Sequence, residues 1–340
     1  MSEGITIAGK TILKGESHKL EIPIGRLYTD TSMYLPVYIK RGKRDGPTIF
    51  VTAAIHGDEL NGIEIISRLI NSKRIDTLKG TLIAVPLVNA YGVLNQSRYL
   101  PDRRDLNRSF PGLKKGSLAG RIANLLMEEV ISKCQYGIDL HTGAAHRTNL
   151  PQIRAFLDDN ETLQLAKSFG VPVLLNSEIR EGTLRHAAGE LGIKVLLYEA
   201  GEALRFDELS IHTGFRGIVN VMVELGMLSK RKSTKTSVEP FVAKNSAWMR
   251  ATNSGFVINK ISLGDFVEKG QVLAYIKDPF GEIIDKVTTQ VDGIIIGQQN
   301  IPLIHEGEAI FHIAYFKKPD EVFENIELLQ DNLTVEGKVK

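Results

Sequence analysis

The sequence predicts an α/β protein, built on a mostly parallel mixed sheet flanked by helices and followed by a small all-β domain. Three observations carry that prediction. Between residues 45 and 228, β-branched apolar runs alternate with helical patterns, the signature of strands joined by crossover helices. A polar, basic stretch, Ser229 to Pro240, then interrupts them without apolar periodicity. From 241 to 316, short apolar runs are punctuated by glycines at 255, 264, 270, 281, 293, 297 and 307, and no long helical pattern returns.

The elements follow in order. Residues 1–44 hold alternating stretches, His18 to Ile24 and Tyr34 to Ile39, that read as strands leading into the α/β domain. Thr48 to Ile55 is a near-continuous apolar run, as expected of a strand buried on both faces. Glu59 to Ile70 carries apolar residues at 60, 63, 66, 69 and 70, a helical stripe. Thr81 to Leu87, Tyr136 to Leu140, Val171 to Leu175 and Lys194 to Tyr198 read as further strands, with helices near 117–133, 161–169, 183–191 and 212–227 between them. Residues 229–240 read as a linker whose charge run is a solvated one. The last segment, 317–340, is a charged tail.

Composition narrows the function classes. The chain has 340 residues, 43% apolar and 24% charged, ordinary values for a globular protein. Lysine and arginine total 42 against 40 acidic residues, a net charge of only +2. That balance predicts neither nucleic acid nor an anionic membrane surface as a partner. The single cysteine, Cys134, excludes an intramolecular disulfide and a Cys-rich zinc site. Following the apolar run Ile122, Leu125, Leu126, Val130, it reads as a half-buried inert thiol. No run resembles a signal peptide or approaches the ~20 apolar residues of a membrane span. A soluble cytoplasmic protein is the expectation.

Four local motifs carry chemistry. His56-Gly57-Asp58-Glu59 stands where a buried strand ends and a helix begins, the edge at which α/β sheets collect ligands. A histidine and a glutamate three apart across a glycine turn can reach one ion, and both suit Zn²⁺. Taken alone, the motif is weak and fits a helix start with an acidic first turn. Ile138-Asp139-Leu140-His141-Thr142-Gly143 ends another strand with a histidine before a glycine turn. His141 supplies a third candidate ligand, completing the His₂Glu set of an open catalytic zinc site; the alternative is a structural histidine capping a strand end. Asp105-Leu106-Asn107-Arg108, after Arg98-Tyr99 and Arg103-Arg104, lacks apolar periodicity and reads as a loop. Its guanidinium and neighbouring amide form a natural cradle for a carboxylate, unless the loop is simply a basic surface. In Tyr198-Glu199-Ala200-Gly201, Glu199 closes the apolar run Val195-Leu196-Leu197. A carboxylate there is either a general base beside a metal site or a capping or salt-bridged glutamate.

Together, H-x-x-E, D-L-N-R, D-L-H-T-G and a strand-end glutamate, in that order from about 45 to 205, resemble the succinylglutamate desuccinylase and aspartoacylase family of carboxypeptidase A-like zinc hydrolases. The resemblance implies a zinc carboxypeptidase-like fold and one Zn²⁺ per chain, held by His56, Glu59 and His141. It implies that Asn107 and Arg108 hold a substrate carboxylate and that Glu199 activates water and protonates the leaving amine. Asp105 matches the aspartate that orients the first zinc histidine. Arg98 best matches the arginine that polarises the scissile carbonyl, with Arg103 as rival because the spacing to Asn107 is slightly long. Arg185, in Gly182-Thr183-Leu184-Arg185, is the candidate for recognising the rest of the substrate.

In the β domain, Gly264 to Leu273 and Val291 to Ile295 resemble biotinyl and lipoyl carrier domains, implying a barrel-sandwich-like fold. Carriers bear their cofactor on a lysine at a hairpin tip; here the turn is Asp278-Pro279-Phe280-Gly281. The domain therefore reads as a scaffold that shapes or covers an active-site mouth, with surface available for homo-oligomer pairing. The leading expectation is an amidohydrolase that deacylates a small N-acyl amino acid or amine. The rivals are a metallocarboxypeptidase acting on short peptides and a non-catalytic binding protein of the same fold.

Overall fold

The computed structural model describes residues 4–230 and 239–315. The expected tail and most of the expected linker lie outside the described residues. A small hairpin, β1 (Ile5–Ile7) and β2 (Lys10–Ile12), opens the chain. Strands β3 (Ser17–Arg26) and β4 (Ser32–Arg41) pair antiparallel, and β4 continues antiparallel onto β6 (Lys79–Val85). The centre is parallel: β5 (Arg44–Ala53) runs between β6 and β7 (Tyr136–Gly143), and β7 pairs β10 (Lys194–Glu202). The helices are α1 (Asn61–Ile70), α2 (Ala90–Leu94), α3 (Leu118–Glu129), α4 (Asn160–Phe169), α5 (Leu184–Glu190) and α6 (Glu208–Glu224). This is the mixed α/β architecture the sequence predicts.

Alternation along the strands decides what faces where. Ile49, Val51 and Ala53 of β5, Ile138 and Leu140 of β7, and Leu196 and Tyr198 of β10 bury into one core with Ile65, Leu69, Phe169 and Met222 of α1, α4 and α6. Phe50 and Val195 bury instead into a second core with Ile122 and Leu126 of α3 and Ala187 of α5. By the same two-residue period, Thr52, Asp139, His141 and Glu199 belong to the α3 and α5 side of the sheet.

One central strand was not anticipated. Strand β8 (Arg147–Ala155) runs antiparallel to β10 and parallel to β9 (Val173–Asn176). Its sequence, RTNLPQIRA, mixes a proline with Arg147, Asn149, Gln152 and Arg154, so neither apolar alternation nor a continuous apolar run marks it. Tertiary partners supply what local pattern does not: Asn149 is 8% exposed and Gln152 fully buried.

The C-terminal region is continuous with the main sheet. Strand β11 (Phe241–Ala243) pairs parallel with β9. Strands β12 (Asn245–Arg250), β14 (Phe266–Val267), β17 (Gly293–Gln299) and β19 (Ala309–Tyr315) extend the sheet, with β17 antiparallel to β8. A second sheet of β13 (Gly255–Asn259), β15 (Val272–Lys277), β16 (Ile283–Thr288) and β18 (Leu303–Ile304) packs across it around Val257, Leu273, Ile276 and Phe311. The join is itself a buried cluster, in which Leu150, Val173 and Leu175 meet Phe241, Ile294 and Ile296. Strands β9 and β17 share one edge of β8, β9 at 152–155 and β17 at 147–149. The C-terminal region thus meets the α/β sheet at the end of β8 that lies beside Glu199.

Candidate active site

The turn after β5 is shaped by its neighbours. Ala54 takes a left-handed backbone, φ +52°, strained for a residue with a Cβ. It is held there because Val88 and Asn89 donate their backbone N–H groups to Ala53 O and Ala54 O, at 3.1 and 2.9 Å. A Cβ at Gly57 would sit 2.0 Å from the Gly92 carbonyl carbon of α2, so only glycine admits that approach. The chain then turns through a Glu59 N–H to His56 O bond of 3.2 Å and enters α1. His56 and Glu59 thereby face back over the ends of β5 and β7, where His141 lies.

His56, Glu59 and His141 converge, all buried, with one candidate ligand atom from each lying within 4.8 Å of the others. Glu59 Oε1 is 2.7 Å from His56 Nδ1 and Oε2 is 2.7 Å from His141 Nδ1. Each imidazole has a carboxylate behind it. His141 Nε2 is 2.8 Å from Asp139 Oδ2, and His56 Nε2 is 3.3 Å from Asp105 Oδ1. Thr52 in turn donates to Asp139 Oδ1 at 2.7 Å. Carboxylates on both Nε2 atoms leave both Nδ1 atoms for a cation, the arrangement that raises the basicity of metal-ligating histidines. Burial disfavours the charged form of each histidine, but Glu59 with Asp105, and Asp139 with Glu59, outweigh it and hold both above the ordinary histidine range. Burial likewise opposes the Glu59 anion, and His56 and His141 overcome it, keeping the carboxyl well below its usual range. Two imidazoles and one carboxylate, buried together on fixed supports, fit a divalent ion of the zinc class.

The arginines separate by position. Arg98 bonds Asp105 Oδ2 through Nε and Nη2, and its Nη1 lies 3.3 Å from His56 Nδ1 and 3.7 Å from Glu59 Oε1. Arg103 is exposed on the loop at φ +61°, and no side-chain contact ties it to the cluster. Asp105 caps the following turn through the Asn107 N–H at 2.8 Å. Asn107 Oδ1 accepts the Leu184 N–H at 2.9 Å, and Phe110 N–H bonds Gly182 O at 3.0 Å. Those bonds lash the D-L-N-R loop to the start of α5. Arg108 is exposed beside it, its Nη1 on Asn107 O at 2.6 Å. Arg185 lies further in, bonding Ser177 Oγ and Glu178 O; burial, then Arg154, pushes its guanidinium down to about 10.

Glu199 is the register partner of His141 on β7 and of Gln152 on β8. Asn149 Nδ2 donates to its Oε2 at 2.8 Å, and Arg154 Nη2 is 3.2 Å from the same oxygen. Sequence reasoning singled out Glu199 but neither partner. Asp139 was closer to legible, since it stands two residues before His141 on one strand and therefore shares its face. For Asn149 and Arg154 no local signal existed, because their strand was itself unmarked.

A family model for the succinylglutamate desuccinylase/aspartoacylase catalytic domain matches residues 45–225. The chain belongs to the succinylglutamate desuccinylase/aspartoacylase family. A relative from Halomonas elongata, N-alpha-acetyl-L-2,4-diaminobutyric acid deacetylase, is 28% identical over 296 residues, covering 83% of this chain and 86% of that protein. Among solved structures, the succinylglutamate desuccinylase/aspartoacylase from Rhodobacter sphaeroides superposes with a TM-score of 0.80 at 23% identity, covering 92% of this chain and 99% of that one. The product-bound ectoine utilization protein EutE (DoeB) from Ruegeria pomeroyi also gives 0.80 at 23% identity, covering 93% and 100%. Those likenesses, over 92% and 93% of the chain, bear on the fold of both the α/β region and the C-terminal β region. The stretch matched by the family model contains His56, Glu59, Arg98, Asp105, Asn107, Arg108, His141, Arg185 and Glu199, together with strand β8.

Proposed function

We propose that this protein is a zinc-dependent deacylase, hydrolysing the amide of a small N-acyl amino acid or related amine. The observation that carries the reading is the buried His56, Glu59, His141 cluster with Glu199 in register beside His141. His56, Glu59 and His141 would hold one zinc ion per chain. When bound, such an ion acts as a Lewis acid that lowers the pKa of water and polarises a carbonyl oxygen.

The chain's own groups do the rest. Arg98, held by Asp105, donates to the scissile carbonyl oxygen and meets the negative charge that develops there. Glu199 accepts a proton as water adds to the acyl carbon, then returns it to the departing nitrogen as the C–N bond breaks. The products are a carboxylic acid and a free amine. Arg108 and the Asn107 carboxamide hold a substrate carboxylate, and Arg185 recognises a more distant polar group. Arg98 takes the polarising role over Arg103 because it reaches the cluster.

The name of the Halomonas relative supports a deacylase over a carboxypeptidase. The test is a hydrolysis screen of the zinc-loaded protein on N-acetyl-L-2,4-diaminobutyrate, N-succinyl and N-formyl amino acids and short peptides, with zinc measured per chain. Amine release from N-acyl amino acids supports the reading. Release from peptides alone makes the protein a carboxypeptidase, and no turnover with no zinc retained makes it a binding protein.

A further inference from the structure

Glu199 is gripped by one oxygen only. Asn149 Nδ2, at 2.8 Å, and Arg154 Nη2, at 3.2 Å, both meet Oε2, and no bond among the described residues engages Oε1. Both partners lie on β8, whose polar residues local sequence logic cannot explain. The C-terminal region backs them. Gly297 of β17 pairs with Asn149 on one side and with His312 of β19 on the other. A Cβ at 297 would lie 2.8 Å from Asn149 Oδ1 and 3.2 Å from the His312 Cβ. His312 is 3% exposed and stacks on Trp248 at 4.2 Å between ring centroids.

We propose that Asn149 and Arg154 are positioning residues that pin Glu199 by Oε2 and present Oε1 to the reacting water, with Gly297 of the C-terminal region holding Asn149 in place. This rests on Glu199 being the base. A carboxylate free at both oxygens samples several rotamers, whereas one held by two donors at a single oxygen has one orientation to offer. Arg154 serves here as a monodentate donor, so a lysine can partly replace it. His312 does not compete for the carboxylate: burial, then Arg154, lowers it to about 3, and it stays neutral. The C-terminal region is then part of the catalytic apparatus, acting through β8.

The test compares Arg154→Gln, Arg154→Lys, Gly297→Ala and Glu199→Gln in the full-length, zinc-loaded protein. The probe is the N-acyl amino acid turned over fastest in the screen above. We expect Arg154→Gln and Gly297→Ala to lower kcat by roughly 10- to 100-fold, with KM and zinc content unchanged. Arg154→Lys should recover much of the loss, a rescue that a purely structural role would not produce. If Arg154→Gln and Arg154→Lys raise KM and spare kcat, Arg154 binds substrate and the proposal fails. It also fails if both positions tolerate substitution while Glu199→Gln is inactive. Should Glu199→Gln keep normal turnover, or should no acyl amino acid be cleaved, the reading of Glu199 as base falls first and this one with it. Should Gly297→Ala not fold, as judged by its melting transition, the two Arg154 variants decide.

Discussion

The two halves of the site carry opposite charge. Around the ends of β5 and β7, two histidines and Arg98 are surrounded by Asp58, Glu59, Asp105 and Asp139, all buried except the half-buried Arg98 and Asp105. Around β8, β10 and α5 the balance reverses: Arg154 and Arg185 stand near the carboxylate of Glu199. The first half is negative, as a site for a cation must be, since its ligands have to be desolvated and aligned before the ion arrives. The second is positive. A net positive charge there suits an anionic substrate.

The contrast can be broken at its strongest point first. His141→Ala should leave the protein without stoichiometric metal, measured by elemental analysis, and with turnover at background. Retained zinc in that variant would remove the cluster from its role. Glu199→Gln comes next: zinc stays bound while kcat falls on the order of 10²–10⁴-fold, the usual scale of a lost general base. Arg108→Ala, on the exposed loop tied to α5, should act on binding. Losing one charge-assisted hydrogen bond costs about 1.5–3 kcal/mol, so KM should rise roughly 10- to 150-fold with zinc content untouched. An effect confined to kcat would reassign it.

Smaller effects test the supports. Thr52→Val deletes the bond to Asp139 Oδ1 between two buried side chains. It should lower unfolding free energy by about 1–3 kcal/mol and weaken metal retention against a chelator. Equal stability and retention would mean that Asp139 needs no orienting. The least effect is expected at Cys134, whose thiol burial raises above its ordinary range. A raised folded pKa means its contribution to stability is fully present below the unfolded thiol value of about 8.5 and declines as pH rises beyond it. Native protein at pH 8 should therefore resist an alkylating reagent that labels the unfolded chain at once. Rapid labelling of the native state would show an open route to Cys134.

The same contrast governs what was legible in advance. The His56, Glu59 and His141 cluster could be read because its residues end apolar strands whose β-branched runs advertise themselves, and strand ends are where parallel sheets place ligands. Most strands and helices of the α/β region follow from the same periodicity. Strand β8 did not, because its polar residues find their partners far along the chain: Asn149 Nδ2 and Arg154 Nη2 in Glu199, and Gln152 Nε2 in Ile296 O. The rivalry of Arg98 and Arg103 was equally beyond a spacing argument. Both stand in one polar loop, and only the folded path of that loop brings Arg98 to His56 and leaves Arg103 in solvent.

By itself, then, the sequence determined the α/β architecture through local periodicity, and it pointed to the candidate ligands and Glu199 through strand-end motifs whose order resembles that of the family. Tertiary structure alone decided the partners of Glu199, the choice between the arginines and the docking of the C-terminal strands beside the site. Those depend on contacts between segments up to about 150 residues apart, such as Asn149 with Gly297, and no local pattern encodes a long-range pairing of polar groups.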